Sequence, residues 1–190
     1  MIKHLIFDLY GTLIHTDNEI LGVDRRAFWE HGERTWMRED VPEEDRFLAF
    51  AKQHGISCEE LIERFSELEK SAHMVSGMLN VLRELKKRGY NLHILSNAGR
   101  STKQFVLRQP AFLIFDTLTC SYEIGAIKPE PEAFKAVLKR IQAEPHECIM
   151  IGDSLEADIA GARRAGMKAV HFEAEKDHPE ELFERIKVAE

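Results

Sequence analysis

The sequence predicts an α/β fold in which helices cover both faces of a central parallel β-sheet. Short apolar runs that end near Gly, Ser or Asp recur along the chain, and amphipathic stretches separate them. Strands that alternate with single helices imply right-handed crossovers, which make the strands parallel. A length of 190 residues suits one such domain with a smaller insertion. We therefore expect a three-layer sandwich.

The predicted strands are apolar runs of the kind that lie buried inside a sheet. In chain order they are 2–9, 91–95, 112–118, 148–151 and 167–172. Amphipathic stretches predict helices at 78–88, 101–108, 130–141 and 156–165, and a closing helix at 179–188. In parallel sheets of this kind, ligands bind beyond the carboxyl ends of the strands.

Residues 15–76 interrupt this alternation with one helix after another. The predicted helices here are 23–37, 42–53 and 57–70. The stretch is too long for an ordinary crossover between two strands. We therefore predict a core segment (residues 1–14 and 77–190) and an all-helical cap segment (residues 15–76) inserted after the first strand. Trp29 and Trp36 are expected to pack inside the cap segment rather than against a substrate.

The composition indicates a soluble, cytoplasmic protein with no nucleic-acid or membrane partner. With 26 basic and 33 acidic residues, the chain has a net charge of −7, which gives it no electrostatic reason to bind nucleic acid or an anionic membrane. No apolar run approaches the ~18 residues that a membrane helix needs. The first apolar run also meets Asp8 too early for a signal peptide. Three widely spaced cysteines predict reduced thiols rather than disulfides.

Polar residues that could take part in catalysis or binding lie at or just beyond the ends of predicted strands or loops. Each of them alone is typical of a helix cap or a turn. Together at one sheet edge, they would supply a carboxylate nucleophile, a hydroxyl and a cation for an anionic group, and carboxylates for a hard divalent ion. These residues are Asp8, Ser96, Asn97, Lys128, Asp153 and Asp158.

The segments that carry these residues resemble the motifs of the haloacid dehalogenase superfamily of hydrolases. The matching segments are FDLYGTL at 7–13, LSN at 95–97, IGAIKPEPEAF at 124–134 and IGDSLEAD at 151–158. Four motifs in this order, with a helical insertion after the first, are specific for the family. The resemblance implies a Rossmann-like core with a small helical cap, and a covalently modified aspartate.

The resemblance also implies a role for each matching residue. Asp8 would be the nucleophile, with Tyr10 and Lys128 as the other catalytic residues. Mg²⁺ would be held by Asp8, Asp153, Asp158 and the backbone carbonyl of Tyr10. The residues implied for substrate binding are Thr12, Ser96, Asn97 and Lys128. The expected partner is a small phosphorylated molecule, and the sequence leaves the oligomeric state open.

Tyr10 departs from the pattern of the family's phosphatases. Those enzymes usually carry an aspartate two residues after the nucleophile, which protonates the leaving group and then activates water. Tyrosine has an ordinary pKa near 10, so it is a poor base at neutral pH. Aspartate-X-tyrosine is instead the pattern of the family's 2-haloacid dehalogenases. In those enzymes the halide leaves without a proton. They use no metal, and an arginine on the cap side binds the carboxylate of the substrate.

Three hypotheses therefore remain open from the sequence. The first is Mg²⁺-dependent phosphoryl hydrolysis, either slow or with a preference for a good leaving group, which Asp153, Asp158 and Lys128 favour. The second is metal-independent 2-haloacid dehalogenation, which Tyr10 favours and which needs one of the cap arginines over the site. The third is binding of a phosphorylated ligand with little turnover. His15 and Asp17 could replace the missing acid or base, but a position in the hinge between core and cap explains them as well. The candidate cap arginines are Arg25, Arg26, Arg34 and Arg38.

Overall fold

The computed structural model describes the backbone of residues 1–190 and most of their side chains. The side chains outside the description are those of Asn18, Arg25, Arg26, Arg34, Glu43, Glu44 and Arg46. Three of the cap arginines considered above, Arg25, Arg26 and Arg34, therefore lie outside the described side chains.

The strands form a parallel sheet and a small antiparallel pair. In chain order they are β1 (His4–Phe7), β2 (Ile14–His15), β3 (His73–Met74), β4 (Asn91–Ser96), β5 (Thr117–Cys120), β6 (Cys148–Gly152) and β7 (Lys168–His171). The parallel sheet has the strand order β5-β4-β1-β6-β7. The short strand β2 pairs antiparallel with β3, so Ile14 faces Met74 and His15 faces His73.

The helices lie between these strands in the alternation that the sequence predicts. They are α1 (Arg25–Arg34), α2 (Glu43–His54), α3 (Cys58–Ser71), α4 (Met78–Lys87), α5 (Arg100–Arg108), α6 (Ser121–Ile124), α7 (Pro131–Ile141), α8 (Gly161–Arg164) and α9 (Leu182–Ala189). A π-helical segment, Leu155–Ala160, runs directly into α8. Short 3-10 turns occupy Asn18–Leu21, Pro110–Ile114, Pro145–Glu147 and Pro179–Glu181.

Strand β1 lies in the middle of the sheet and divides the core into two apolar layers. Leu5 and Phe7 point into the layer built with α4, α5 and α9. Ile6 points the opposite way, into the layer that contains Phe134 and Val137 of α7. Adjacent strand residues face opposite sides of a sheet, so burial on both faces requires the continuous apolar run seen in the sequence. The three-layer α/β fold with a Rossmann-like core is confirmed.

Helices α1, α2 and α3 pack around an apolar cluster of their own. Phe28 of α1, Phe47 of α2 and Phe65 of α3 meet there, and the rings of Phe47 and Phe65 have centroids 5.0 Å apart. Trp36 is also buried in this cluster. The chain enters and leaves these helices through β2 and β3, whose pairing holds the two connections side by side.

Two sequence expectations were wrong in their boundaries. Residues 112–118 do not form one strand, because a 3-10 turn begins at Pro110 and strand β5 starts only at Thr117. Proline fixes φ and donates no hydrogen bond, which favours a turn start over a strand. Helix α1 ends at Arg34 rather than at residue 37, so Trp36 lies beyond it.

Within the described part of the chain, no helix is both long and apolar enough to cross a bilayer.

Candidate active site

The carboxyl ends of β1, β4 and β6 meet at one edge of the sheet and open into a cavity of about 400 Å³. Asp8 directly follows β1, Ser96 ends β4, and Asp153 directly follows β6. These strands are parallel neighbours in register, so residues that follow them converge. All three residues line the cavity, together with Lys128 and Asp158.

Lys128 is the centre of a buried ion cluster at the floor of this cavity. Its Nζ donates to Asp8 Oδ1 at 2.5 Å and to Asp158 Oδ1 at 2.6 Å. The Lys128 side chain is only 3% exposed. Burial lowers the pKa of Lys128, but the charges of Asp158 and Asp8 outweigh this effect and raise its pKa above the ordinary value. Lys128 therefore stays protonated at neutral pH.

Carboxylates outnumber the ammonium group in this cluster. Asp8, Asp153 and Asp158 each offer an oxygen atom, and these atoms lie within 4.8 Å of one another. Burial raises the pKa of Asp8 to about 7, with Lys128 opposing the shift and Asp158 and Asp153 adding to it. Burial and the charge of Asp158 raise the pKa of Asp153 as well. Crowded, partly desolvated oxygen donors with excess negative charge are the ligands that a hard divalent cation prefers.

Asp158 differs from the other two carboxylates because both of its oxygens are engaged within the protein. Oδ1 accepts from Lys128, and Oδ2 accepts from the Ser154 amide at 3.0 Å. Asp158 is 1% exposed and lies in the π-helical segment that follows β6. Its contacts suit a residue that positions Lys128, whereas Asp8 and Asp153 face the cavity more openly.

Asn97 holds the Lys128 loop in place through two hydrogen bonds. The Lys128 amide donates to Asn97 Oδ1 at 2.7 Å, and Asn97 Nδ2 donates to the Lys128 carbonyl at 2.9 Å. Asn97 and Ser96 both line the cavity, and their role in substrate binding stays a prediction. Thr12 does not belong to the described lining. It is completely buried, and its hydroxyl has no hydrogen-bond partner among the described residues.

Tyr10 presents its ring to the cavity but directs its hydroxyl elsewhere. The hydroxyl donates to Thr102 Oγ1 of α5 at 3.3 Å, and Thr102 Oγ1 donates to Glu69 Oε1 of α3 at 3.2 Å. Burial, followed by the charge of Glu69, raises the pKa of the Tyr10 hydroxyl above its ordinary value. The hydroxyl is therefore a weaker acid than a free tyrosine, and it already has an acceptor.

Several cavity residues from the cap segment were not identified from the sequence. Trp29 and Glu33 lie one turn apart on α1, and Met37 follows that helix. Trp29 packs in the cap cluster as expected, yet it also lines the cavity, which the sequence analysis did not anticipate. Glu33 follows Trp29 by four residues, so the two side chains lie on the same face of α1. This spacing is the feature of the sequence that could have identified Glu33. Glu175, beyond β7, also lines the cavity.

Of the two hinge residues and the candidate arginine Arg38, only His15 lines the cavity. His15 belongs to β2 and lines the cavity, whereas Asp17 caps the 3-10 turn by accepting from the Glu19 amide at 3.2 Å. Arg38 donates to both carboxylate oxygens of Glu130, at 3.1 and 2.8 Å. That ion pair joins the cap segment to the loop that carries Lys128, so the Arg38 guanidinium is engaged there.

Comparisons with known proteins agree with this geometry. The family of haloacid dehalogenase-like hydrolases matches residues 2–166. Pyrophosphatase PpaX of Bacillus cereus is 30% identical over 176 residues, covering 88% of this chain and 81% of that protein.

Solved structures give the same result for the fold. A HAD phosphatase of Thermococcus onnurineus is 26% identical, with a TM-score of 0.66 over 93% of this chain and 89% of that one. A HAD family enzyme of Bacteroides thetaiotaomicron, solved in complex with magnesium and inorganic phosphate, is 23% identical, with a TM-score of 0.72 over 93% and 97% of the two chains. The chain belongs to the haloacid dehalogenase-like hydrolases.

Proposed function

We propose that this protein is a Mg²⁺-dependent phosphatase that uses Asp8 as a covalent nucleophile on a small phosphorylated molecule. The observation that carries the proposal is the contact of 2.5 Å between Lys128 Nζ and Asp8 Oδ1 beside the carboxylates of Asp153 and Asp158. A lysine in this position opposes the rise in the Asp8 pKa that burial causes, and it lies where a phosphoryl group would arrive. Identity of 30% to a pyrophosphatase supports phosphoryl chemistry.

In the first step, an Asp8 oxygen attacks the phosphorus atom. The new Oδ–P bond forms as the bond from phosphorus to the leaving oxygen breaks, and the leaving group takes the electron pair. Lys128 offsets the repulsion between the Asp8 carboxylate and the phosphate, and the Ser96 hydroxyl can donate to a phosphate oxygen. Asn97 keeps Lys128 in place through its backbone.

In the second step, water attacks the phosphorus atom of the aspartyl phosphate. The Oδ–P bond breaks, Asp8 returns to a free carboxylate, and the released phosphate keeps the protons of the water until it loses one to solvent. The surplus of carboxylates over ammonium suits Mg²⁺, which Asp8, Asp153 and the Tyr10 carbonyl would hold with Asp158 beside them. When bound, the ion supplies positive charge that stabilises the transition state.

Phosphate and chloride release test this proposal directly. We would measure phosphate from acetyl phosphate and phenyl phosphate, and chloride from 2-chloropropionate, each with Mg²⁺ or with EDTA. Phosphate release that is lost in EDTA and in Asp8→Asn is expected. Asp17→Asn serves as a matched control, because Asp17 caps a turn outside the ion cluster. No phosphate release from either compound by the correctly folded, unsubstituted protein in the presence of Mg²⁺ would overturn the proposal.

The second candidate is metal-independent 2-haloacid dehalogenation, which the tyrosine at position 10 favours. It predicts chloride release that is indifferent to EDTA. Arg38, the one of the four candidate cap arginines whose side chain is described, is paired with Glu130, so the substrate carboxylate would need a different cation. A third outcome, Mg²⁺ binding without any product release, would favour a phospho-ligand binding protein. We also propose that the predicted boundaries of the cap segment, residues 15–76, define the substrate-covering domain.

A further inference from the structure

The main chain of Asp153 is held by a side chain from β7, a strand that carries none of the predicted site residues. The imidazole Nε2 of His171, the last residue of β7, lies 2.9 Å from the carbonyl oxygen of Asp153. A carbonyl oxygen can only accept a hydrogen bond, so Nε2 carries the proton and donates. This hydrogen bond joins the edge strand of the sheet to the residue that directly follows β6.

The register of the two strands brings His171 to this place. Strands β6 and β7 pair in parallel with Gly152 opposite His171, and the Phe172 amide donates to the Gly152 carbonyl at 2.9 Å. His171 therefore lies beside the point at which β6 ends and the turn of Asp153 begins. Its side chain is 32% exposed, so it is not a residue of the apolar core.

The backbone of His171 is itself fixed by an arginine of α9. Arg185 Nη1 donates to the His171 carbonyl at 2.8 Å. The Arg185 guanidinium also donates to both carboxylate oxygens of Asp177, at 2.8 and 2.7 Å. Because a bidentate carboxylate fixes the orientation of a guanidinium, the end of β7 has a defined position from which the imidazole reaches Asp153.

The loop after β7 also contacts the turn against which the Asp153 carboxylate packs. The Ala174 amide donates to the Gly11 carbonyl at 2.9 Å. The Asp153 carboxylate lies so close to Gly11 that a Cβ atom there would be 2.5 Å from Oδ2. His171 and Ala174 thus connect the end of β7 both to Asp153 and to the turn that follows Asp8.

A contact to the main chain of a metal ligand affects how well that ligand is placed before the ion binds. Mg²⁺ demands nearly ideal octahedral geometry. Groups that hydrogen-bond to metal ligands commonly contribute about ten- to hundredfold in metal affinity. The Asp153 carboxylate projects from the same residue whose carbonyl His171 holds, and it lies near the oxygens of Asp8 and Asp158.

We propose that His171 is a positioning residue for the divalent cation, and that its Nε2 hydrogen bond holds Asp153 in the arrangement that binds the ion. This inference rests on the proposed function, in which Asp153 is a metal ligand. Because Nε2 carries a proton, His171 acts on the ion through Asp153 and is not a ligand itself.

The binding of Mn²⁺ to the protein without substrate tests the inference directly. Mn²⁺ shares with Mg²⁺ a preference for carboxylate and carbonyl oxygens, and its free concentration can be followed by electron paramagnetic resonance. His171→Leu keeps the apolar bulk but removes the donor, so we expect the Kd for Mn²⁺ to rise by about tenfold. His171→Gln has an amide that can donate to the same carbonyl, and its Kd should stay within about threefold of that of the unmodified protein.

The Mg²⁺ dependence of phosphate release from acetyl phosphate gives a second measurement. We expect His171→Leu to need about tenfold more Mg²⁺ for half-maximal activity. At saturating Mg²⁺ its kcat should come within about twofold of the unmodified value, because the bound ion then selects the arrangement that the hydrogen bond otherwise favours. General damage to the fold would lower kcat at every Mg²⁺ concentration.

His146→Leu is the matched control, since it replaces an exposed histidine in the turn that precedes β6, at the opposite end of the same strand. Its Mn²⁺ affinity should equal that of the unmodified protein. His171→Ala should show the same loss as His171→Leu, so the result does not depend on how leucine packs.

Unchanged Mn²⁺ affinity in His171→Leu or His171→Ala would overturn the inference and leave the proposed function standing. Equal losses of affinity in His171→Gln and His171→Leu would also overturn it. An unmodified protein that binds neither Mn²⁺ nor Mg²⁺ would contradict the proposed function, and this inference with it.

Discussion

The side-chain amide of Asn97 pairs with the main chain of Lys128 in the way that one β-strand pairs with another. It accepts from the Lys128 amide at 2.7 Å and donates to the Lys128 carbonyl at 2.9 Å. Asn97 follows β4 directly, so this pairing ties the loop of Lys128 to the end of a central strand. The lysine that contacts Asp8 is thereby positioned from a different part of the chain.

Replacing Asn97 by alanine should therefore lower kcat. The variant loses two partly buried hydrogen bonds, which should cost about 2 kcal/mol of unfolding free energy. Because Lys128 is displaced from Asp8, we expect kcat for acetyl phosphate to fall by about tenfold or more, with a smaller change in KM. Asn80→Ala, at an exposed position of α4, is the control. An unchanged kcat in a stable Asn97→Ala protein would show that the loop positions Lys128 without Asn97.

Gly11 gives the backbone the space that Asp153 needs. A Cβ atom at position 11 would lie 2.5 Å from Asp153 Oδ2, and the φ angle of Gly11 is +75°. We expect Gly11→Ala to displace the Asp153 carboxylate and to raise the Mg²⁺ concentration for half-maximal activity by about tenfold.

Gly55 is a matched control for this substitution. It has a similar φ of +68° but nothing within 4 Å of a Cβ atom. Gly55→Ala should therefore cost about 1 kcal/mol of stability through backbone strain alone. Its Mg²⁺ dependence should equal that of the unmodified protein. Equal Mg²⁺ dependence in both variants would contradict the proposed role of Asp153.

Substituting Tyr10 by aspartate should restore the proton donor that phosphatases of this family carry. We expect Tyr10→Asp to hydrolyse ethyl phosphate at least about tenfold faster than Tyr10→Asn does. The asparagine side chain has the same shape as aspartate but no acidic proton. The comparison between these two variants separates proton donation from the loss of the ring that packs near Trp29. Equal rates for the two variants would mean that protonation of the leaving group does not limit turnover.

The buried imidazole of His93 should make the protein sensitive to acid. Its Nε2 lies 3.0 Å from His4 Nδ1, and its Nδ1 lies 2.9 Å from Thr117 Oγ1. Burial, with a smaller contribution from His4, lowers the pKa of His93 from 6.5 to about 4. The unfolded chain therefore binds a proton at a higher pH than the folded protein does, so stability falls as the pH drops from 6.5 to 4.

The loss due to His93 should total about 3 kcal/mol over this range. Urea unfolding at several pH values measures this loss. In His93→Asn, the free energy of unfolding should change less between pH 6.5 and 4, even if the variant is less stable at pH 7. The exposed His146 provides the control, since His146→Gln should leave the slope unchanged. A slope that is the same in His93→Asn would disprove the assignment.

The sheet and the ion cluster could be predicted because each depends on a local pattern. Buried parallel strands require continuous apolar runs, and residues that follow such strands must converge at one edge. Asp8, Ser96 and Asp153 were identified in this way, whereas Lys128 in its loop and Asp158 at a strand-to-helix turn were identified from the motifs that resemble the family. All five line the cavity. Which of them bind substrate or metal stays a prediction.

The cap side of the cavity could not be predicted for a physical reason. Trp29 and Glu33 lie on a helix whose orientation depends on how the ring cluster around Phe28 packs. Sequence periodicity indicates that a helix has an apolar face. It does not indicate which residues at the edge of that face line a cavity with another segment. The direction of the Tyr10 hydroxyl was equally hidden, because its partner Thr102 is far away in the sequence.

The ion pair between Arg38 and Glu130 couples the cap segment to the loop that carries Lys128. Glu130 also accepts from the Ile127 amide at 3.0 Å, so its carboxylate binds the backbone of the residue that precedes Lys128. A displacement of the cap segment that moved Arg38 would therefore also move the backbone beside Lys128, whose ammonium group contacts Asp8.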